Sequence, residues 1–406
     1  MIAARGLGLT PAPFSDVPRL LTAAEQIEAS SESSATKRDE RQSRLLRALI
    51  ATLWSQWQFL DTGQTQKSLE SVLSALNWIG PGEEYTASFA LMYLAFSYQA
   101  IGQGDGAIAV LNEALEEHAT HRSSTACLLL ALSFVYLAAG KLHQVEYTAR
   151  HLLHLAQQGG LTLSQNVAHW LLGVVSYEGS DLDTAVYHFS AVITNRHLAH
   201  FWVVREALFG LTLSYQAQGL GTQAKETVRA LLEWMQEQHN VREIMTAYAF
   251  CGHLALVQDD VEQASQWLEM AREDEELGPM MYIEDQPVTR AWLLLAQGDE
   301  MSVARGQALL THLLHHVEAR HTTRKTIQVL VLQAWAYEAQ GRMPEALEVL
   351  ERAIALARPR GFLRTFADLT QLSRVLHELR KRRRSQKAFE RKFDAYVQHI
   401  LAAMNS

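Results

Sequence analysis

The stretch Leu94–Leu115, LAFSYQAIGQGDGAIAVLNEAL, carries a tyrosine (Tyr98), a glycine four residues on (Gly102), an alanine five beyond that (Ala107) and a leucine after a further three-residue gap (Leu111). The same order returns in Ala334–Pro359, AWAYEAQGRMPEALEVLERAIALARP, as Tyr337, Gly341, Ala346 and Leu350. Apolar residues on both sides of the glycine recur at spacings of three and four, which is the mark of two amphipathic helices joined by a tight turn. The turn needs a residue that tolerates its backbone. The next helix then needs a small side chain where the pair comes closest.

Extended along the chain, this grammar becomes a period. Breaks fall at Gly63, Gly102, Gly140, Ser180, Gly219, Asp259, Gly298 and Gly341, at intervals of 39, 38, 40, 39, 40, 39 and 43 residues. Five residues after them stand Ser68, Ala107, Val145, Ala185, Ala224, Ala264, Val303 and Ala346. A single hairpin cannot bury its apolar face, so the units must stack. The expected fold is all-α: a right-handed superhelical solenoid of about eight helical hairpins over residues 45–361. An N-terminal arm and first helical segment (1–44) precede it, and a C-terminal helical cap (362–406) follows.

Composition agrees with this. The chain has 406 residues, 48% of them hydrophobic, with only 22 glycines and 8 prolines, too few for a turn-rich sheet protein. Two cysteines, Cys127 and Cys251, give no disulfide framework and fit a reducing cytoplasm. Neither a signal peptide nor a membrane span is legible. The net charge is −8, but Phe366–Ser406 holds nine basic residues against four acidic ones, leaving an acidic body that suits nucleic acid poorly. The opening stretch to about Val17 and the serine-rich break from Glu28 to Thr36 read as linker or connecting loop around a short amphipathic piece with Leu20, Leu21, Ala24 and Ile27.

The repeat segments resemble tetratricopeptide repeats, including the small residue, gap and bulky residue at Ala107 and Leu111, Ala185 and Phe189, and Ala346 and Leu350. Tetratricopeptide units repeat every 34 residues or so. The longer period here is similar to the sensor region of the ATP-dependent, MalT-like LuxR-type transcriptional regulators. The segment AIALARPRGFLRTFADLTQLSRVL resembles the one that closes their repeat array, with Gly361, Phe362, Arg364, Phe366 and Asp368 in place, although Thr370 stands where a glycine is common and suggests a helix running on. Tyr396, Val397, Ile400 and Leu401 look like the family's last helix before its DNA-binding domain. No GxxxxGK[ST] occurs, and a helix-turn-helix would be expected beyond Ser406, so the chain reads as a sensor module without the ATPase and DNA-binding domains.

The resemblance implies a non-enzymatic, cytoplasmic ligand-sensing and interaction module with no cofactor. Its partner would be a small-molecule effector or a peptide or protein, with self-association as an output and no direct nucleic-acid contact. The alternative is a free-standing scaffold that holds a peptide or partner helix. Among the histidine groups (His312, His315, His316 and His321; His151 and His154; His197 and His200), His312 and His316 are spaced to share one metal, but no third ligand and no HExxH or CxxC motif accompanies them, so they read as helix-surface and interhelical histidines. Carboxylate clusters at Glu116 and Glu117, Asp259 and Asp260, and Glu273–Glu276 read as solvated faces. The basic run Arg380–Arg384, with Arg374, Lys387 and Arg391, reads as a solvated helix end, the alternative being a salt-sensitive contact with nucleic-acid phosphate, which no interleaved aromatic or base-reading element accompanies.

For a binding surface the sequence offers aromatic residues of the first helices. Phe96 and Phe134 lie six residues before a break, and Trp170 and Phe209 ten before, in register with Met92 and Leu130. They are expected to wall a concave pocket between about Met92 and Gln216, with Gln99, Tyr177 and Gln216 orienting the ligand.

Overall fold

The computed structural model describes residues 17–31, 37–60, 62–117, 121–237, 241–271, 283–385 and 391–404; the readings of the opening arm, of Glu273–Glu276 and of Lys387 lie outside them. Among the described residues there are twenty α-helices and no strand. Helix α1 (Val17–Ser31) packs on α2 (Lys37–Leu60), which forms the first hairpin with α3 (Thr65–Trp78). Then α4 (Glu84–Ala100) pairs with α5 (Gly104–Glu117), α6 (Arg122–Ala138) with α7 (Leu142–Gly159), and α8 (Thr162–Glu178) with α9 (Leu182–Thr194). The array continues as α10 (Phe201–Ala217) with α11 (Gly221–Glu237), α12 (Val241–Val257) with α13 (Val261–Met270), α14 (Gln286–Gln297) with α15 (Glu300–Ala319), and α16 (Thr323–Ala339) with α17 (Met343–Ala357). Neighbouring first helices also touch, α10 and α12 through the stacked rings of Phe209 and Phe250, so the hairpins stack as a superhelical solenoid. Helices α18 (Arg364–Ala367), α19 (Ser373–Ser385) and α20 (Arg391–Met404) close it.

The eight breaks are the eight turns. All have left-handed backbone, with φ between 57° at Asp259 and 82° at Gly102. At six of the eight the residue after the break donates its N–H back to the carbonyl five residues earlier, as Gln103 does to Tyr98 (2.7 Å) and Lys141 to Tyr136 (2.8 Å). That bond satisfies a carbonyl the helix end would otherwise leave open. Asp181, Asp260 and Asp299 then cap the second helices of their units through the N–H groups of Thr184, Gln263 and Ser302. Of the eight small residues, seven have 0% exposure and Val303 has 4%.

Two boundaries differ from the sequence reading. Helix α2 starts at Lys37, ahead of the expected 45, because its first two turns (KRDERQSR) carry no apolar residue to betray them. Helix α1 runs through Ser31, and its Glu28, read as loop, is buried and accepts hydrogen bonds from Ser43 and from Arg47 (2.7 Å). At the other end no helix runs through Thr370, since α18 stops at Ala367 and a 3₁₀ turn spans Thr370–Leu372.

The fourth unit shows how tight the stack is. Phe189, fully buried on α9, lies between Gly173 of α8 and Gly210 of α10. A Cβ at Gly210 would sit 2.2 Å from its ring, and one at Gly173 would sit 2.6 Å away. Gly210→Ala is therefore expected to cost about 1–3 kcal/mol, measured by urea unfolding, and Phe189→Leu in the same chain should recover most of it. An unchanged midpoint in the single variant would show that the ring has room to move.

Candidate functional site

The two ends of the first helices differ. At their C-terminal ends the array closes on itself. Gly361 (φ 82°) turns the chain after α17, and Phe362 and Phe366 are fully buried behind it. The Leu363 N–H donates to the Glu178 carbonyl (2.6 Å) and Thr365 Oγ1 to the Glu178 carboxylate (2.8 Å), which also pairs with Arg324 (3.1 Å). Tyr177 donates to Asp368 (2.6 Å), and Asp368 also holds Arg364, which donates in turn to the Ala403 carbonyl on α20 (3.0 Å). Burial, then the Asp368 charge, pushes the Tyr177 phenol well above its ordinary value, so it stays a donor.

The neighbouring units join in. Gln99 donates to the Arg320 carbonyl (3.0 Å), Gly140 packs against Arg360, Phe362 and Thr323, and Gln371 donates to Asp259 (2.6 Å). Enclosed here is a cavity of about 60 Å³ among Tyr177, Glu178, His253, Trp292, Arg324 and Asp368, with room for little more than water.

At the N-terminal ends of the same helices the surface is open. A groove of about 1000 Å³ crosses the first turns of α4, α6 and α8 and the Arg196–Leu198 turn before α10. Phe89, Met92, Cys127, Leu130 and Val167 line its apolar part, and Tyr85 (51% exposed) and Leu198 (59% exposed) belong to its walls. Its polar lining includes Thr86, His121, Arg122, Ser124, Ser164, His197 and His200. Asn166 donates to the Leu198 carbonyl (3.2 Å) and fixes that wall to α8.

The aromatic residues expected to form the pocket are placed differently. Phe96, Phe134, Trp170 and Phe209 are 7%, 4%, 0% and 0% exposed. Phe59, Phe96, Phe134 and Trp170 form a continuous ring-to-ring row with centroids 5.3–5.8 Å apart, and Phe209 stacks on Phe250 at 4.0 Å. They are interhelical core, because at those positions the first helices face one another. Gln99 and Tyr177 hold the closure, and Gln216 accepts from Gln258 (2.7 Å), so none of the three faces the groove. The open surface does lie in the expected units, and Met92 and Leu130 line it. Of the other lining residues only Cys127, His197 and His200 were singled out in the sequence, and not for this groove, although Thr86, Ser124 and Ser164 keep one register, sixteen residues before their breaks.

The chain matches the family model described as MalT-like TPR region over residues 48–382. It belongs to that family. Among solved structures, a Rap protein complexed with competence and sporulation factor aligns at TM-score 0.49 and 15% identity, covering 83% of this chain and 80% of that one. A human IFIT1 dimer with m7Gppp-AAAA aligns at TM-score 0.42 and 18% identity, covering 84% and 67%. No functionally curated relative matches in sequence.

Elsewhere the chemistry is structural. No group of three or more His, Cys, Asp or Glu residues converges among the described residues, and no described helix is long and apolar enough to cross a membrane. In the basic run Arg380 and Arg384 pair with Asp394 (2.8 and 3.0 Å) and Arg383 with Glu351, binding α19 to α20 and α17. The two arginines hold the Asp394 carboxyl down at about 2. A buried histidine pair joins α8 to α9, His169 and His188 meeting Nδ1 to Nδ1 at 2.9 Å.

Two outcomes follow. Glu178→Gln leaves Arg324 buried beside a neutral partner and should destabilise by about 3 kcal/mol, with faster hydrogen exchange over 358–372 as the local signature. Burial, then His169, lowers His188 from 6.5 to about 4, so the native state binds fewer protons than the unfolded chain between those values. Stability should be full above pH 6.5 and fall as pH drops toward 4, and His188→Gln should flatten that part of the melting-temperature profile.

Proposed function

We propose that the chain is the effector-sensing and protein-interaction module of a MalT-like LuxR-type regulator, working in the cytoplasm without chemistry of its own, and that the effector binds in the groove at the N-terminal ends of α4, α6 and α8. The observation that carries this reading is the groove itself. It has the volume of a small-molecule site, an apolar floor and polar groups around it, and it lies in a family whose repeat region is named for such a regulator.

The mechanism follows from the two ends of the helices. Helices α4, α6 and α8 each place their first turn in the groove, and each has its last turn or the adjoining break against the closing units, at Gln99, Gly140 and Glu178. A ligand that draws the first turns together shifts the balance between closed and loosened states by its differential affinity for them. Loosening Leu363 and Asp368 would release α20, the helix the family resemblance places before the DNA-binding domain.

Tyr85 and Leu198 are exposed, so they can be changed without harm to the core. In a thermal-shift screen of metabolites and short peptides, binders should lose at least ten-fold in affinity with the double variant Tyr85→Ala, Leu198→Ser, whose own melting temperature stays within about two degrees of the unchanged chain. Binders whose affinity survives the double variant unaltered would place the effector elsewhere. A hit list made up solely of extended peptides would favour the scaffold reading over effector sensing.

A further inference from the structure

The groove has a chemical bias that names a class of ligand, and the inference rests on the groove being the binding site. Four helix N-termini line it. The residues preceding α4, α6, α8 and α10 are Glu83, His121, Leu161 and His200, and none of them caps its helix with a side-chain hydrogen bond. Uncapped first turns leave backbone N–H groups and the positive end of the helix dipole facing the groove.

The second observation is independent of the dipoles. Thr86 and Ser124 are 7% and 2% exposed, line the groove, and have no hydrogen-bond partner for their hydroxyls among the described residues. With Ser164 they form a ladder at the third residue of three successive helices. Both side chains are more than nine-tenths buried, neither hydroxyl oxygen is itself sealed off, and both residues line the groove, so these hydroxyls are free to meet a ligand there.

Charge picks the end. On the α4 side Glu83 is tied to Arg41 (2.6 Å), and Glu84 adds a carboxylate to the first turn. On the α6 to α10 side the charged or protonatable lining is Arg122, His121, His197 and His200, with no acidic residue. Arg122 is exposed, with its stem beside Gly159. His200 stacks on Trp202, whose ring meets Trp170 and Phe134.

We propose that the groove binds an amphipathic anion: a single carboxylate or phosphate head held by Ser124, Ser164, Arg122 and the first turns of α6 and α8, with an apolar body along Phe89, Met92, Cys127 and Leu130. Isothermal titration with octanoate, octyl phosphate, octanamide and inorganic phosphate tests it, with intrinsic tryptophan fluorescence as a second readout. One of the two octyl anions should bind one per chain and at least ten-fold tighter than octanamide or inorganic phosphate, and the tighter of them identifies the head group. Ser124→Ala and Arg122→Gln should each weaken it three- to thirty-fold while the melting temperature holds.

Octanamide binding as tightly as the anions would overturn the anion assignment and leave the groove reading in place. Anion binding that survives the Ser124→Ala, Arg122→Gln double variant would put the head group elsewhere and overturn it too. If no octyl compound binds, the assigned class is wrong, whereas the groove reading falls only with the Tyr85 and Leu198 variant described above.

Discussion

Everything in this chain depends on how closely two helices approach just after a left-handed turn. The turn residue ends the first helix, and five residues later a side chain of alanine size lets the second helix lie against it. Gly serves at six of the eight turns, but Ser180 (φ 64°) and Asp259 (φ 57°) hold the same backbone with a Cβ in place. Such a conformation costs an ordinary residue about 1–2 kcal/mol. That it persists shows how strongly the stack on both sides determines the turn. Asp259 also has a use there, since its carboxylate receives Gln371 from the closing segment.

A period reports local geometry well and global geometry poorly. The turns, the buried small residues and the count of eight hairpins were legible because each is enforced within about forty residues and repeated. The partners of Gln99, Tyr177 and Glu178 were not, because they lie 221, 191 and 187 positions away in sequence and meet only when the superhelix has made its turn. Resemblance supplied what periodicity lacked: Gly361, Phe362, Arg364, Phe366 and Asp368 were marked as a closing segment, and they are the residues that close it.

The misplacement of Phe134 and Trp170 has a physical cause. Counting back from a break gives a residue's height along its helix and the side it points to. It does not say whether the neighbouring helices have met at that height. Phe134 on α6 and Trp170 on α8 stack on each other where these helices do meet, and their rings are the filling between them. Leu130, at the same height on α6 as Trp170 on α8, lines open space instead, as does Ser164 near the start of α8.

With the groove at one end and the closure at the other, the first helices are suitable as levers. Each of α4, α6 and α8 has 17 residues, a rod of about 25 Å. A tilt of about 5° imposed at the groove moves the far end by about 2 Å. The far end is held by hydrogen bonds of 2.6–3.1 Å between Tyr177 or Glu178 and the closing segment with Arg324, and a displacement of that size is enough to break them. Tyr177, Glu178, Arg324 and Asp368 line one cavity of about 60 Å³, so breaking one of these bonds leaves a charged or phenolic group beside the others without its partner, which couples the bonds to one another.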